Sequence, residues 1–359
     1  MEKTIPNKEY VSIKKPRELG IEILRILAMF FIVCQHFLNH GGFLRNADGN
    51  KIFLNLINVL FAPSVNVFVL ISGYFSANST KFRAQKTLSL WLQVFFYSLF
   101  CIPIAMLLGV EVERKYVTDS FFPVINNKYW FFTTYFIMTF ITPLLAKIVA
   151  CMTKREHLTT VLGIFIVGYV SSRFKMGDVF SLNGGYGGFW FIMLFLVGAY
   201  LKKYPLKIKK VVVLCVYITT VFLQMLFKYK FNDTSKLIIK LVYGSTGYIQ
   251  PLTLLASTCL LLLFLGIKND GRWLDKVITY LSGCTFSVYL FHEEPLIRSV
   301  LYTLFQTQKY WANSVSALIV LAFSVITFMI GVVIESLRKA LFFLFKKVLK
   351  KIKRQKGRE

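Results

Sequence analysis

The chain has 359 residues, 56% of them hydrophobic and 36 of them Phe, a composition of polytopic membrane proteins that excludes an ordinary soluble globular domain. Its formal net charge is +26, but the basic residues are gathered in alternating loops and at both ends, which argues against nucleic acid as their partner. The six Cys (34, 101, 151, 215, 259, 284) show neither close pairing nor metal-ligand spacing. They read as small buried hydrophobes, with no disulfide and no metal expected.

Residues 1–19 form a basic N-terminal segment. No removable signal peptide is expected after it, because the first apolar run is long, polar on one face and lacks a small-residue cleavage site. A helix crossing the hydrocarbon core needs about 20 mostly apolar residues. Runs that qualify, with soft edges, are 20–40, 52–76, 87–109, 130–150, 158–172, 188–201, 211–227, 248–267, 277–300 and 313–335. The expectation is an all-α polytopic membrane protein of about ten transmembrane helices. The fifth and sixth runs are short, and Gly177, Gly184, Gly185, Gly187 and Gly188 crowd the loop between them, so tilted or partly re-entrant helices fit there.

With the N-terminus inside, the inner segments hold 29 of the 43 Lys and Arg and the outer segments 13. That split places both termini in the cytoplasm. The membrane unit is 20–335. The tail 336–359 mixes apolar residues with ten basic ones, the pattern of an amphipathic helix on anionic lipid or of a plain topogenic anchor.

The first run carries Glu22, Arg25, His36 and His40. At about 100° per residue, Arg25 and His36 lie within roughly 20° of each other, and Glu22 and His40 within roughly 40–60° of that line. A charge near the bilayer centre costs about 2.5–3.5 kcal/mol on the lenient scale, so this stripe faces a protein interior or a wet cavity. Arg25 suits an anion from the cytoplasm, with Glu22 fixing its rotamer. His36, deeper, suits a neutral base that takes a proton from a nucleophile. The bland alternative is a topology-locking ion pair and a satisfied interior histidine.

The second run ends in Asn66-Val-Phe-Val-Leu-Ile-Ser72-Gly73. Gly73 permits close approach of a ligand or of another helix. Beyond it come Lys81, Arg83 and Lys86, with Gln93 and Tyr97 on the Lys86 face of the third helix. Such a cluster is either a phosphate site or positive-inside loop charge. In the ninth run Thr285 and His292 share a face, with Tyr289 nearby, and Pro295 kinks the helix beyond them. Glu293 and Glu294 are expected near the outer surface, with Glu294 pairing with Arg298 one turn on. Tyr129, Trp130 and Trp190 read as interfacial belt residues, and His157 as a solvated loop residue. The absence of P-loop, GxSxG, HExxH and Rossmann fingerprints argues against an ATP-driven pump, a soluble-type hydrolase and a zinc protease.

With these residues laid out, the chain resembles the integral-membrane acyltransferase family 3, bacterial O-acyltransferases that modify cell-surface glycans. The motifs that carry the resemblance are Glu22-Ile-Leu-Arg25 through Gln35-His36, Val67-Phe-Val-Leu-Ile-Ser-Gly-Tyr74, and Tyr289-Leu-Phe-His292. The chain differs in Glu22 for a frequent Asp, in Asn66 for a frequent Asp or Pro, and in the spacing of Lys81, Arg83 and Lys86.

The resemblance implies transfer of an acyl group, most often acetyl, from cytoplasmic acyl-CoA to a glycan hydroxyl outside the cell membrane. It implies His36, Arg25 and Glu22 as the catalytic set, with His36 as base or acyl carrier. Ser72, Gly73, Arg83, Lys86 and Gln93 would meet the acyl-CoA donor, acetyl-CoA above all. His40, Asn66, Tyr289 and His292 would meet the acceptor. The partners are then acyl-CoA, the glycan and membrane lipids, with no nucleic acid, and all the chemistry is expected within the membrane unit. The rival is a transporter using the same groups as a proton relay. Against it, the first-helix stripe has no counterpart in helices five to seven. A non-catalytic relative that senses or scaffolds is the third reading.

Overall fold

The computed structural model describes residues 18–47, 51–173, 178, 181–230, 247–268 and 270–356. Of the segments singled out above, residues 1–17, Gly177 and the last three residues of the tail, 357–359, lie outside the described residues. Among the described residues every regular element is helical.

The first run forms α1 (Leu19–Asn39), and the short α2 (Phe43–Asn46) comes after it. The second run is split into α3 (Lys51–Phe61) and α4 (Ser64–Ser76) at Ala62-Pro63, where proline removes a helical N–H donor. Then come α5 (Ala84–Leu107), the short α6 (Arg114–Ser120), α7 (Trp130–Cys151), α8 (Lys154–Arg173), α9 (Gly188–Lys203), α10 (Lys210–Lys230) and α11 (Pro251–Phe264). The ninth run is broken twice, into α12 (Trp273–Ser282), α13 (Thr285–His292) and α14 (Pro295–Leu304). The last helix, α15 (Ser316–Lys356), runs 41 residues without interruption, about 60 Å at 1.5 Å per residue.

Among the described residues six segments are long and apolar enough to cross a bilayer: Leu19–Asn39, Lys51–Ser76, Ala84–Leu107, Trp130–Cys151, Lys210–Lys230 and Ser316–Val348. The chain is a multi-pass helical membrane protein. The four other expected runs, 158–172, 188–201, 248–267 and 277–300, fall short in length or apolarity, the last because its breaks leave no long helix. Exposed Leu92, Ile137, Phe140, Leu144, Phe222 and Val325 are side chains that lipid tolerates and water does not.

Helix α1 is central and packs against α3, α4, α11, α12, α13 and α15. Glu22, Arg25 and His36 of its ionisable stripe are thereby held against protein, as the cost of a charge in lipid requires, while His40 beyond them is exposed. Helices α4 and α9 meet at glycines. A Cβ on Gly73 would lie 2.3 Å from the Phe195 carbonyl oxygen, and one on Gly198 2.3 Å from that of Leu70. Only small residues allow backbones this close.

Candidate functional site

A cavity of about 890 Å³ runs along one face of α1. Glu18, Glu22, Arg25, Met29, Ile32 and His36 line it, at alternating spacings of four and three that put them on a single helical face. Helices α4, α5, α7, α9 and α13 supply the facing walls, through Ser72, Lys86, Phe131, Lys202 and Tyr289 among others.

One end of this cavity is basic. Arg25 Nη1 donates to Glu22 Oε1 at 2.9 Å, and the other Glu22 carboxylate oxygen accepts from the Ser282 hydroxyl. Glu22 is buried and fixed by both contacts, so it aims the partly exposed Arg25 guanidinium. Lys86 lies close enough to Arg25 and Arg83 for the three charges to repel. Arg83 Nη2 donates to Ser79 Oγ at 3.1 Å, and Lys202 Nζ sits 4.4 Å from the centre of the Tyr74 ring. Cations crowded at a cavity mouth favour a polyanionic ligand.

The other end is built on His36. Its Nδ1 lies 2.9 Å from His292 Nε2 and 2.9 Å from Glu293 Oε2. The hydrogen-bond geometry is with His292, so Glu293 Oε2 contributes charge at close range without an aligned hydrogen bond among the described residues. The tautomers are set by the partners. His292 Nδ1 lies 2.6 Å from the Val288 carbonyl oxygen, which only accepts, so His292 carries its proton on Nδ1 and a lone pair on Nε2. His36 Nδ1, facing that lone pair and a carboxylate, must be the donor. Its Nε2 is then left to the cavity as a proton acceptor. Glu293, itself paired with Arg298 at 3.1 Å, stabilises the imidazolium that would form.

A family model described as an acyltransferase domain matches residues 18–335. The chain belongs to the acyltransferase-3 family. Comparison with curated proteins and with solved structures gives no match. The match spans every helix that lines the cavity of this acyltransferase.

The structure brings together most of the residues singled out from the sequence. Glu22, Arg25, His36, Ser72, Arg83, Lys86, Gln93 and Tyr289 all line the one cavity. Ser72 Oγ donates to the Phe68 carbonyl at 3.0 Å and lies 3.1 Å from the Tyr135 hydroxyl. Gln93 Nε2 donates to Ser287 Oγ at 2.6 Å. His292 stands behind His36 rather than in the cavity. His40 is exposed beyond it, its ring centre 5.4 Å from that of His36.

Other expectations are corrected. Gly73 faces α9, not a ligand, because its missing side chain is what lets α4 approach. Asn66 is fully buried, accepts from Trp190 Nε1 at 3.0 Å and donates to the Tyr248 carbonyl at 2.9 Å, which ties α4 to α9 and to the start of α11. Trp190 and Tyr129 are therefore interior residues rather than an interfacial belt. His157 is buried, with Nε2 3.0 Å from the Leu196 carbonyl oxygen. Cys151 and Cys215 are exposed.

Glu294 pairs with Lys128 at 2.9 Å, while Glu293 takes Arg298. Both carboxylates are buried, and Arg298 pairs with Glu293 rather than with Glu294, the partner expected from the spacing. The residue the sequence reading missed is Glu293. Its signal was available: a carboxylate directly after His292 in an apolar run is costly unless partnered.

His36, His292 and Glu293 also offer three metal-ligand atoms within 4.8 Å of one another. Ligation would require the His36 Nδ1 proton to leave for Nε2.

Proposed function

We propose that this enzyme transfers an acyl group, acetyl above all, from cytoplasmic acyl-CoA to a hydroxyl of a cell-surface glycan at the plasma membrane. The single observation that carries the reading is one cavity joining a basic mouth to His36. Arg25, at that mouth, and His36 are eleven residues apart on α1, roughly 16 Å at 1.5 Å rise, a span an extended phosphopantetheine arm can bridge. Arg83, Lys86 and Lys202 would hold the phosphates of the donor. Arg25, aimed by Glu22, would meet the arm or its first phosphate. The excess of Lys and Arg in alternate loops supports the basic mouth on the cytoplasmic side, with both termini there.

The thioester carbonyl would then lie beside His36. A glycan hydroxyl entering from the opposite side, past His40, gives its proton to His36 Nε2 as its oxygen attacks the carbonyl carbon. Collapse of the adduct breaks the carbon–sulfur bond and expels the CoA thiolate, which takes that proton from the imidazolium. Glu293 and His292 hold the ring for both transfers. The tail 336–359 would lie against anionic inner-leaflet lipid.

The test is glycan O-acyl content in cells that make the cognate glycan and express either wild type or His36→Ala. Acylation by wild type and its loss in the variant are expected. Equal acylation in both would overturn the role of His36, and none from wild type would overturn the reaction.

A further inference from the structure

The start of α7 presents donors without acceptors. The first-turn N–H groups of a helix have no intrahelical partner. In α7 the Thr133 N–H already bonds the Tyr129 carbonyl at 2.9 Å, and Tyr129, the N-cap, supplies no side-chain cap. The N–H groups of Trp130, Phe131 and Phe132 are left, with the positive end of the helix dipole behind them. Trp130 and Phe131 line the same cavity as His36.

A second observation is independent of the helix. Tyr289 lines that cavity too, is only 5% exposed, and has a buried hydroxyl with no hydrogen-bond partner among the described residues. The Phe131 and Phe132 N–H groups face this hydroxyl's oxygen without an aligned hydrogen bond, and the Tyr289 and Phe131 ring centres are 5.8 Å apart. On its other side the Tyr289 ring centre is 6.3 Å from that of His292, the hydrogen-bond partner of His36. Burying a hydroxyl unpaired is destabilising. Here the hydroxyl's oxygen faces the first-turn N–H groups of α7, and its O–H is left without an acceptor.

We infer that the N-terminus of α7 and the Tyr289 hydroxyl form an oxyanion-binding site for the acyl group in transit. The inference rests on the acyl-transfer reading. When the acceptor oxygen bonds to the thioester carbon and its proton passes to His36 Nε2, the carbonyl π pair moves onto oxygen. The Tyr289 O–H, polarised by the α7 N–H groups that face its own oxygen, donates to that oxygen. The pair then returns, the carbon–sulfur bond breaks, and the thiolate takes the proton from His36. Such donors act where charge develops, so they lower the barrier more than they tighten ground-state binding.

The decisive variant is Tyr289→Phe in the full chain, with acyl transfer to glycan measured in membranes against acetyl-CoA concentration and rates normalised to enzyme abundance. The expected result is kcat lower by about 10²–10³-fold with the donor KM within threefold. Thermal stability should be unchanged or raised, because a partnerless hydroxyl is removed. A kcat within threefold of wild type, or a rise in KM alone, overturns the oxyanion site while leaving the transferase reading standing. Lowered stability with kcat retained would identify Tyr289 as a structural cap and also overturn it. Absence of transfer by wild type overturns both.

Discussion

At the scale of single residues, the chemistry depends on which nitrogen of each imidazole carries the proton. The Val288 carbonyl fixes that for His292, and His292 in turn fixes it for His36. Glu293 adds negative charge 2.9 Å from His36 Nδ1. Glu293→Gln keeps the shape and removes the charge, so kcat should fall on the order of 10²-fold with little change in the donor KM. Steady-state transfer kinetics in membranes check this, and a change confined to KM would move Glu293 out of the proton-transfer step. His36 and Arg25 were legible in sequence because helical periodicity relates residues eleven apart on one helix. Glu293 was visible there only as a costly charge in an apolar run; its partner was not, since it lies 257 residues away on α1 and no local period relates them.

At the scale of elements, the breaks in the ninth run matter most. Pro295 opens α14, and the preceding Glu294 caps it by accepting from the Leu296 and Ile297 N–H groups at 2.9 and 3.0 Å. Its other oxygen accepts from the Tyr116 hydroxyl and pairs with Lys128. This fully buried carboxylate thus anchors the loop around α6 to the turn that carries Glu293. Lys128→Met would strand the Glu294 charge, a loss of about 3–5 kcal/mol. A lower melting temperature in detergent is expected, with part of the loss recovered by adding Glu294→Gln. Proline signalled the break in sequence. That the broken ends would be buried and matched to Lys128 could not be read there, because Lys128 belongs to a segment with no apolar period of its own.

At the scale of the whole molecule, the proposed direction of transfer rests on the separation of charge along the cavity. The basic mouth gathers Arg83 and Lys86 from the start of α5 and Lys202 from the end of α9. Each charge-assisted phosphate contact contributes about 1.5–3 kcal/mol. Arg83→Ala with Lys86→Ala should therefore raise the acyl-CoA KM at least on the order of 10-fold, while kcat stays near wild type. Kinetics at varied acetyl-CoA check this, and added salt should weaken the wild-type donor affinity in the same direction. An effect on kcat alone would place the donor elsewhere.

By itself the sequence determined that the chain is helical and membrane-embedded, and that α1 carries a stripe of ionisable groups facing protein. Those properties arise from composition and from a period set by backbone geometry, which every local window reports. The tertiary structure alone decided which partners the stripe meets. Gly73, singled out as a ligand contact, proved to be the point where two backbones touch, and Asn66 a tie between helices. Glu293, read only as lying near the outer surface, came to stand against His36. A side chain's partners depend on how distant helices cross and on where prolines and glycines break them, and neither is encoded within a single turn.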